Sequence, residues 1–100
     1  MVKHIVMWSV KDGANGMSKK QIVAEMAKKL LALKPIIKEI RTIEVGENFL
    51  DSPAAFDVAL YTELASREDL NAYQVHTDHV ALKDFILSVT EKRAVVDYEI

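Results

Sequence analysis

The sequence of 100 residues lacks cysteine, internal repeats and any long apolar run. Without cysteine there are no disulfide bonds and no thiolate chemistry. No segment approaches the roughly 20 apolar residues that span a bilayer. The short apolar start at Ile5–Trp8 does not resemble a signal peptide. We therefore expect a soluble, cytoplasmic protein.

The chain also lacks a strong charge of either sign, because 13 basic and 15 acidic residues leave a formal net charge of -2. Such a balance attracts neither phosphate backbones nor anionic lipid, so we expect no nucleic acid and no membrane among its partners. Half of the residues are hydrophobic and 28% are charged, as in an ordinary folded protein. The length predicts a single domain over residues 1–100.

The hydrophobic patterns predict four strands and a second helix that is broken in two. The predicted elements are β1 (2–10), α1 (19–33), β2 (39–46), β3 (56–64), α2 (67–74), α3 (78–89) and β4 (94–100). Ser18, Ser66 and Thr77 are the predicted N-caps of the three helices. The order βαββαβ is typical of the ferredoxin-like α+β fold, an antiparallel four-stranded sheet with helices on one face.

Strand β1 is apolar on both faces, which indicates that both faces of the sheet are covered. His4, Val6 and Trp8 alternate with Ile5 and Met7. Helices would cover only one face of the sheet, and the other would expose a patch larger than a monomer usually tolerates. That patch contains Ile5, Met7, Tyr61, Val96, Tyr98 and Ile100. We therefore predict a homodimer in which two sheets pack face to face about a two-fold axis.

The residues suited to chemistry collect between positions 71 and 80, at the junction of α2 and α3. Tyr73, His76 and His79 lie there, and His4 on β1 is expected to approach them. The first turn of a helix disfavours a protonated imidazole, so His79 should be neutral near pH 7, as a general base must be. Tyr73 could donate a hydrogen bond to a carbonyl oxygen that gains charge.

Each of these residues also has a purely structural interpretation. His79 could secure the helix junction, Tyr73 could be a core aromatic, and His4 could be a satisfied core histidine. His76 and His79 have an H-x-x-H spacing, but His76 precedes the predicted cap and no cysteine or glutamate completes a tetrahedral set. We therefore predict no metal site, and a bracing role for His76 in the junction.

Three segments resemble the stress-responsive A/B barrel (Dabb) family. They are residues 3–6 (Lys-His-Ile-Val), the tyrosine and two histidines of residues 73–80, and residues 95–98 (Val-Val-Asp-Tyr), although Thr77 stands where the family usually has proline. The resemblance covers the whole chain and implies a dimeric α/β barrel. One plant member closes a polyketide by intramolecular aldol condensation without a cofactor. By that resemblance Tyr73, His79 and His4 lie in a pocket, and Asp97 orients the catalytic histidine.

The same resemblance predicts the character of the pocket. A further pocket histidine of the plant member falls at about Val58, and Trp8 would narrow the cavity, so a long polyketide fits poorly. The expected lining residues are Val6, Trp8, Val58, Leu60, His76 and Ile86. We expect a small apolar ligand with a carbonyl or phenol group, and acid/base chemistry without a cofactor: His79 as base, Tyr73 as oxyanion donor and His4 assisting. The alternatives are a non-catalytic, stress-associated dimer and a cofactor-free monooxygenase of the related fold.

Overall fold

The computed structural model describes residues 1–100, and its elements follow the predicted order. The strands are β1 (Val2–Val10), β2 (Thr42–Glu47), β3 (Val58–Leu64) and β4 (Thr90–Glu99). The helices are α1 (Lys19–Leu31), α2 (Arg67–Val75) and α3 (Thr77–Val89), with a short 3-10 turn at Ala14–Gly16. No helix combines the length and the apolar character that a membrane crossing requires. The ferredoxin-like α+β fold class is confirmed.

Several element ends differ from the prediction. Helix α1 ends at Leu31, and the next residues form turns that still bury Leu33. Strand β2 begins only at Thr42. Strand β4 begins at Thr90, directly after α3, because Thr90 already pairs with Val10 of β1. The charged residues that follow Thr90 are typical of a loop, but they form the start of an edge strand.

The caps of α1 and α2 are confirmed, whereas that of α3 is not. Ser18 and Gln21 form a reciprocal capping box, and the Ser66 hydroxyl accepts the Asp69 N–H. Thr77 was predicted to cap α3, but it is the first helical residue. His76 is the cap: its Nδ1 accepts the Asp78 N–H at 3.1 Å.

The four strands are antiparallel and lie in the order β2-β3-β1-β4. His4 in β1 is the direct partner of Thr62 in β3 and of Asp97 in β4. Directly opposed residues in an antiparallel sheet project to the same face. The register therefore places these three polar side chains in one row beneath the helices.

The core fills the space between that face and the helices. Its buried members come from all layers and include Val6, Trp8, Ile22, Met26, Leu30, Leu60, Leu64, Tyr73 and Val89. Alternation along β1 and β3 sends the core residues of these two strands to one face, as predicted. The packed core holds α2 and α3 over the row formed by His4, Thr62 and Asp97.

The outer face of the sheet combines apolar side chains with one charged corner. Met7, Val96 and Tyr98 are exposed there by 37%, 51% and 42%. Tyr61, predicted as part of the apolar patch, instead accepts a hydrogen bond from Lys3 Nζ at 2.8 Å and donates to Glu63. Lys3 also donates a hydrogen bond to the Glu63 carboxylate. This bond is the main cause that lowers the pKa of Glu63 to about 2. This polar corner (Lys3, Tyr61 and Glu63) borders the apolar part of the outer face.

We predict that the outer face forms the homodimer contact. A Val96→Glu variant would place a buried, unpaired charge in that contact, so sedimentation velocity should find monomers where the wild type is dimeric. Val75→Glu, at the exposed end of α2 in the helix layer, should leave the dimer intact. A Val96→Glu variant that sediments like the wild type would show that this face is not the interface.

Candidate functional site

Tyr73 of α2 lies at the centre of the candidate site. Its side chain is fully buried. Its ring centroid is 4.4 Å from that of His79 and 5.8 Å from that of His4. The structure thus brings three of the predicted site residues into contact, and we call them the His/Tyr/His cluster (His4, Tyr73, His79).

Two buried hydroxyl groups at this cluster have no hydrogen-bond partner in the protein: Tyr73 Oη and Thr62 Oγ1. Thr62 was not identified from the sequence. Burial raises the pKa of Tyr73 to about 12, and a polar contact with the Thr62 side chain, which falls short of hydrogen-bond geometry, is a smaller cause that lowers it. Tyr73 therefore keeps its proton at neutral pH. A buried, unpaired hydroxyl costs about 1–3 kcal/mol, which a ligand oxygen that accepts its hydrogen bond would recover.

His4 is held by Asp97, not by the helices. Its Nδ1 lies 2.5 Å from Asp97 Oδ1, and the two residues are cross-strand partners. The expectation that Asp97 orients His79 is therefore wrong, because the register brings the carboxylate to the strand histidine. A carboxylate only accepts hydrogen bonds, so Nδ1 of His4 carries a proton and donates it to Asp97.

His79 is oriented by the backbone at the helix junction. Its Nδ1 lies 3.2 Å from the carbonyl oxygen of Gln74. A carbonyl also only accepts, so Nδ1 carries the proton and Nε2 is free. Burial is the main cause that lowers the pKa of His79, the Gln74 carbonyl opposes it, and the positive charges of Lys83 and Arg93 reinforce it. The sequence also predicts a neutral His79 ring, but it attributes the lowered pKa to the helix N-terminus, whereas the main cause is burial.

A cavity of about 260 Å³ opens beside the cluster, between the sheet and the helices. Six of the predicted site residues line it: His4, Val6, Trp8, Leu60, His79 and Ile86. It shares Trp8, His79, Lys83, Ile86 and Arg93 with an outer cavity of about 410 Å³. The two cavities form one cleft, which runs outward from the cluster between α3 and β4.

Four residues of the inner cavity were missed from the sequence: Leu30, Gln74, Lys83 and Arg93. Lys83 follows His79 by one helical turn, so the i, i+4 spacing could have indicated it. Arg93 could not be placed without the register, in which it is the partner of Trp8.

The remaining predicted residues do not line this cavity. Val58 is buried on the opposite side of Trp8 from Arg93, because β3 and β4 flank β1. His76 caps α3 and its ring turns to the backbone. The expectation that these two residues line the pocket is wrong. Tyr73 contacts the histidine rings but lies behind the cavity wall. No three His, Asp or Glu side chains are grouped so that they could hold a metal ion.

The largest groove, about 460 Å³, lies elsewhere, between the outer face and residues 46–56. It is lined mainly by apolar side chains, and Glu47 is its only ionisable residue. It therefore offers no acid/base group pair. Since Met7 and Ala59 belong to the outer face, we expect the dimer contact to cover part of it.

The fold and the cluster define a ferredoxin-like α+β protein with a histidine-lined cavity under its helices and a buried tyrosine beside it. Residues 2–100 match the family model of the Stress responsive A/B Barrel Domain, so the chain belongs to that family. A stress-response A/B barrel domain-containing protein of Arabidopsis thaliana is 27% identical over 99 residues, which are 98% of this chain. The chain spans only 36% of the length of that relative.

Solved structures share the ferredoxin-like fold of this chain. A dimeric protein of unknown function and ferredoxin-like fold from Bacteroides fragilis NCTC 9343 has a TM-score of 0.85 and 34% identity, covering 99% of this chain and 95% of that chain. Hydroxynitrile lyase from Passiflora edulis has a TM-score of 0.82 and 22% identity, covering 99% and 92%. The first similarity supports a dimer, whereas the second shows the shared fold alone.

A Tyr73→Phe variant tests whether the buried hydroxyl is unpaired. Because the group makes no protein hydrogen bond, its removal should leave the free energy of unfolding unchanged or raise it by up to about 1–3 kcal/mol. Urea unfolding measures the difference, with Thr62→Val as the matched variant. If each variant loses about 1 kcal/mol and the double variant loses no more, the two hydroxyls bond each other and the interpretation fails.

Proposed function

We propose that the inner cavity binds a small, largely apolar ligand through a carbonyl or phenol oxygen, and that the cluster acts on it by acid/base chemistry without a cofactor. One observation carries the proposal: the Tyr73 hydroxyl is fully buried, lacks a protein partner and lies against two histidine rings. Native proteins pair nearly all such groups, so an unpaired one beside a cavity favours a ligand.

The cluster divides the chemistry between a base and a hydrogen-bond donor. His79 accepts a proton at Nε2, since its Nδ1 is engaged with the Gln74 carbonyl. Tyr73 donates to the oxygen on which negative charge develops. Removal of a proton from a carbon next to a carbonyl would give an enolate that this hydroxyl stabilises. His4, fixed by Asp97, assists as a second imidazole ring beside Tyr73.

The protonation states suit these roles. Burial lowers the pKa of His79, so its basic form prevails at neutral pH. Burial raises the pKa of Tyr73 to about 12, so the donor keeps its proton under the same conditions. An environment that moves the two pKa values apart is how one site holds an acid and a base together.

Access to Tyr73 requires one movement. Its ring lies behind that of His79, so a ligand oxygen reaches the hydroxyl only when the His79 ring turns away. The contact between His79 Nδ1 and Gln74, at 3.2 Å, is at the long end of the hydrogen-bond range and is not backed by a charge. We expect ligand entry to tilt this ring while its Nδ1 stays on the Gln74 carbonyl.

Comparison with the Passiflora edulis hydroxynitrile lyase supports the proposal only in one respect. That protein shares the fold at 22% identity, so this fold can carry an enzyme. The ligand of the present chain follows instead from its own cavity, in which Trp8 and Ile86 are apolar and His79 is polar, with Tyr73 directly behind the His79 ring.

A non-catalytic, stress-associated dimer is the second candidate, and the contacts of both histidines favour it. Asp97 satisfies one nitrogen of His4, and the Gln74 carbonyl satisfies one nitrogen of His79. Both rings can therefore be explained as braces of the sheet and of the helix junction. The two candidates differ over the unpaired Tyr73 hydroxyl and over the outcome at His79.

Proton exchange on 4-hydroxyacetophenone separates the two candidates. This probe carries a phenol, a carbonyl and exchangeable methyl protons. The wild type should accelerate exchange of those protons for deuterium, as measured by NMR. His79→Gln should remove most of the acceleration, since a positioned base contributes about 10²- to 10⁴-fold. Tyr73→Phe should reduce it by about tenfold or more, because the enolate loses its donor.

His76→Gln is the matched control, because it makes the same change outside the cavity. It should exchange the probe at the wild-type rate. Acceleration that survives His79→Gln would contradict the assignment of His79 as the base. Acceleration that is absent in the wild type would contradict the acid/base proposal and favour the non-catalytic dimer.

A further inference from the structure

Two cations from different elements meet where the inner and outer cavities join. Lys83 belongs to α3 and Arg93 to β4, and both line both cavities. Neither makes a side-chain hydrogen bond or an ion pair, although five ion pairs form elsewhere in the structure. The wall of the inner cavity contains no acidic side chain, and Glu91 is the only one in the outer cavity.

A solvated lysine or arginine on a protein surface is ordinary, so exposure alone assigns nothing to these two. What distinguishes them is their position over the cluster: the charges of both act on His79 and lower its pKa. The whole chain has a net charge of -2, so this mouth is positive against the overall sign. A cleft with one sign of charge concentrates ligands of the opposite sign.

The apolar walls lie between the cations and the cluster. Trp8 is the cross-strand partner of Arg93 and is buried in the cavity wall, and Ile86 stands opposite it on α3. Arg93 shares the helix-covered face with Trp8, so it is not part of the outer face assigned to the dimer contact. A ligand that enters this cleft would therefore pass the two cations first, then the apolar walls, and would reach His79 last.

We propose that the ligand is a small carboxylic acid, whose carboxylate pairs with Arg93 and Lys83 while its apolar body lies between Trp8 and Ile86. This inference rests on the proposed function, because it concerns the other end of the same ligand. The planar guanidinium of Arg93 matches a carboxylate through two parallel hydrogen bonds. The volume of about 260 Å³ suits a body no larger than one aromatic ring with a short chain.

Trp8 makes the test direct, since it is the only tryptophan of the chain and lines both cavities. Its fluorescence is followed during titration with 3-(4-hydroxyphenyl)propionate and, separately, with the methyl ester of that acid. The acid should bind about a hundredfold tighter than the ester, the gain of two charge-assisted pairs of about tenfold each. Added NaCl should weaken the acid and leave the ester unchanged.

Substitution of the cations identifies the pair. Arg93→Gln and Lys83→Gln should each weaken the acid about tenfold and leave the ester unchanged. Lys20→Gln is the matched control, because it removes one exposed, unpaired charge on α1. It should leave both affinities at the wild-type value, which separates local pairing from a change in net charge.

The outcomes separate this inference from the proposed function. If acid and ester bind equally well and Arg93→Gln changes neither affinity, the inference that the ligand carries a carboxylate is wrong. The proposal that the cavity binds an apolar ligand then still stands. Inorganic phosphate that displaces the acid at lower concentration than acetate does also overturns the carboxylate, in favour of a phosphate group. If neither acid nor ester changes the fluorescence and 4-hydroxyacetophenone exchange is not accelerated, both proposals fall.

Discussion

The hydrogen bond between His4 and Asp97 is the interaction on which the site depends. It joins the central strand to the last strand at 2.5 Å and fixes a buried ring that has no other side-chain hydrogen bond. Loss of the carboxylate would leave a buried N–H unpaired, at a cost of about 1–3 kcal/mol. The same register places Thr62 on the other side of His4. Sheet pairing, rather than the helices, therefore sets the polar floor of the cavity.

The roof of the cavity depends on a different constraint, the single-residue junction between α2 and α3. His76 ends one helix and caps the next, so Tyr73 and His79 fall on adjoining turns with ring centroids 4.4 Å apart. Roof and floor come from distant parts of the chain and meet only when the core packs. The unpaired hydroxyls of Tyr73 and Thr62 lie at that meeting point, where the surrounding core offsets their cost.

The parts of this structure that sequence reasoning predicted are those with a local signal. Periods of two and 3.6 residues located the strands and helices, and the capping box at Ser18 located the start of α1. The approach of His4 to Tyr73 and His79 followed from the fold and the family resemblance. The partner of Asp97 did not follow, because cross-strand register between residues so far apart has no local signal. Arg93 was missed for a related reason: its charged neighbours concealed the early start of β4.

The central claim is that His79 is a neutral ring that presents Nε2 while His4 donates its Nδ1 proton to Asp97, and long-range ¹H–¹⁵N NMR of the three histidines tests it directly. Near pH 7, the account predicts that both carry the proton on Nδ1 and that His79 titrates below the ordinary value of 6.5. His76 is the internal control, because its Nδ1 accepts the Asp78 N–H and its neutral ring must carry the proton on Nε2. A His79 ring that is protonated at pH 7, or that carries its proton on Nε2, would contradict the account.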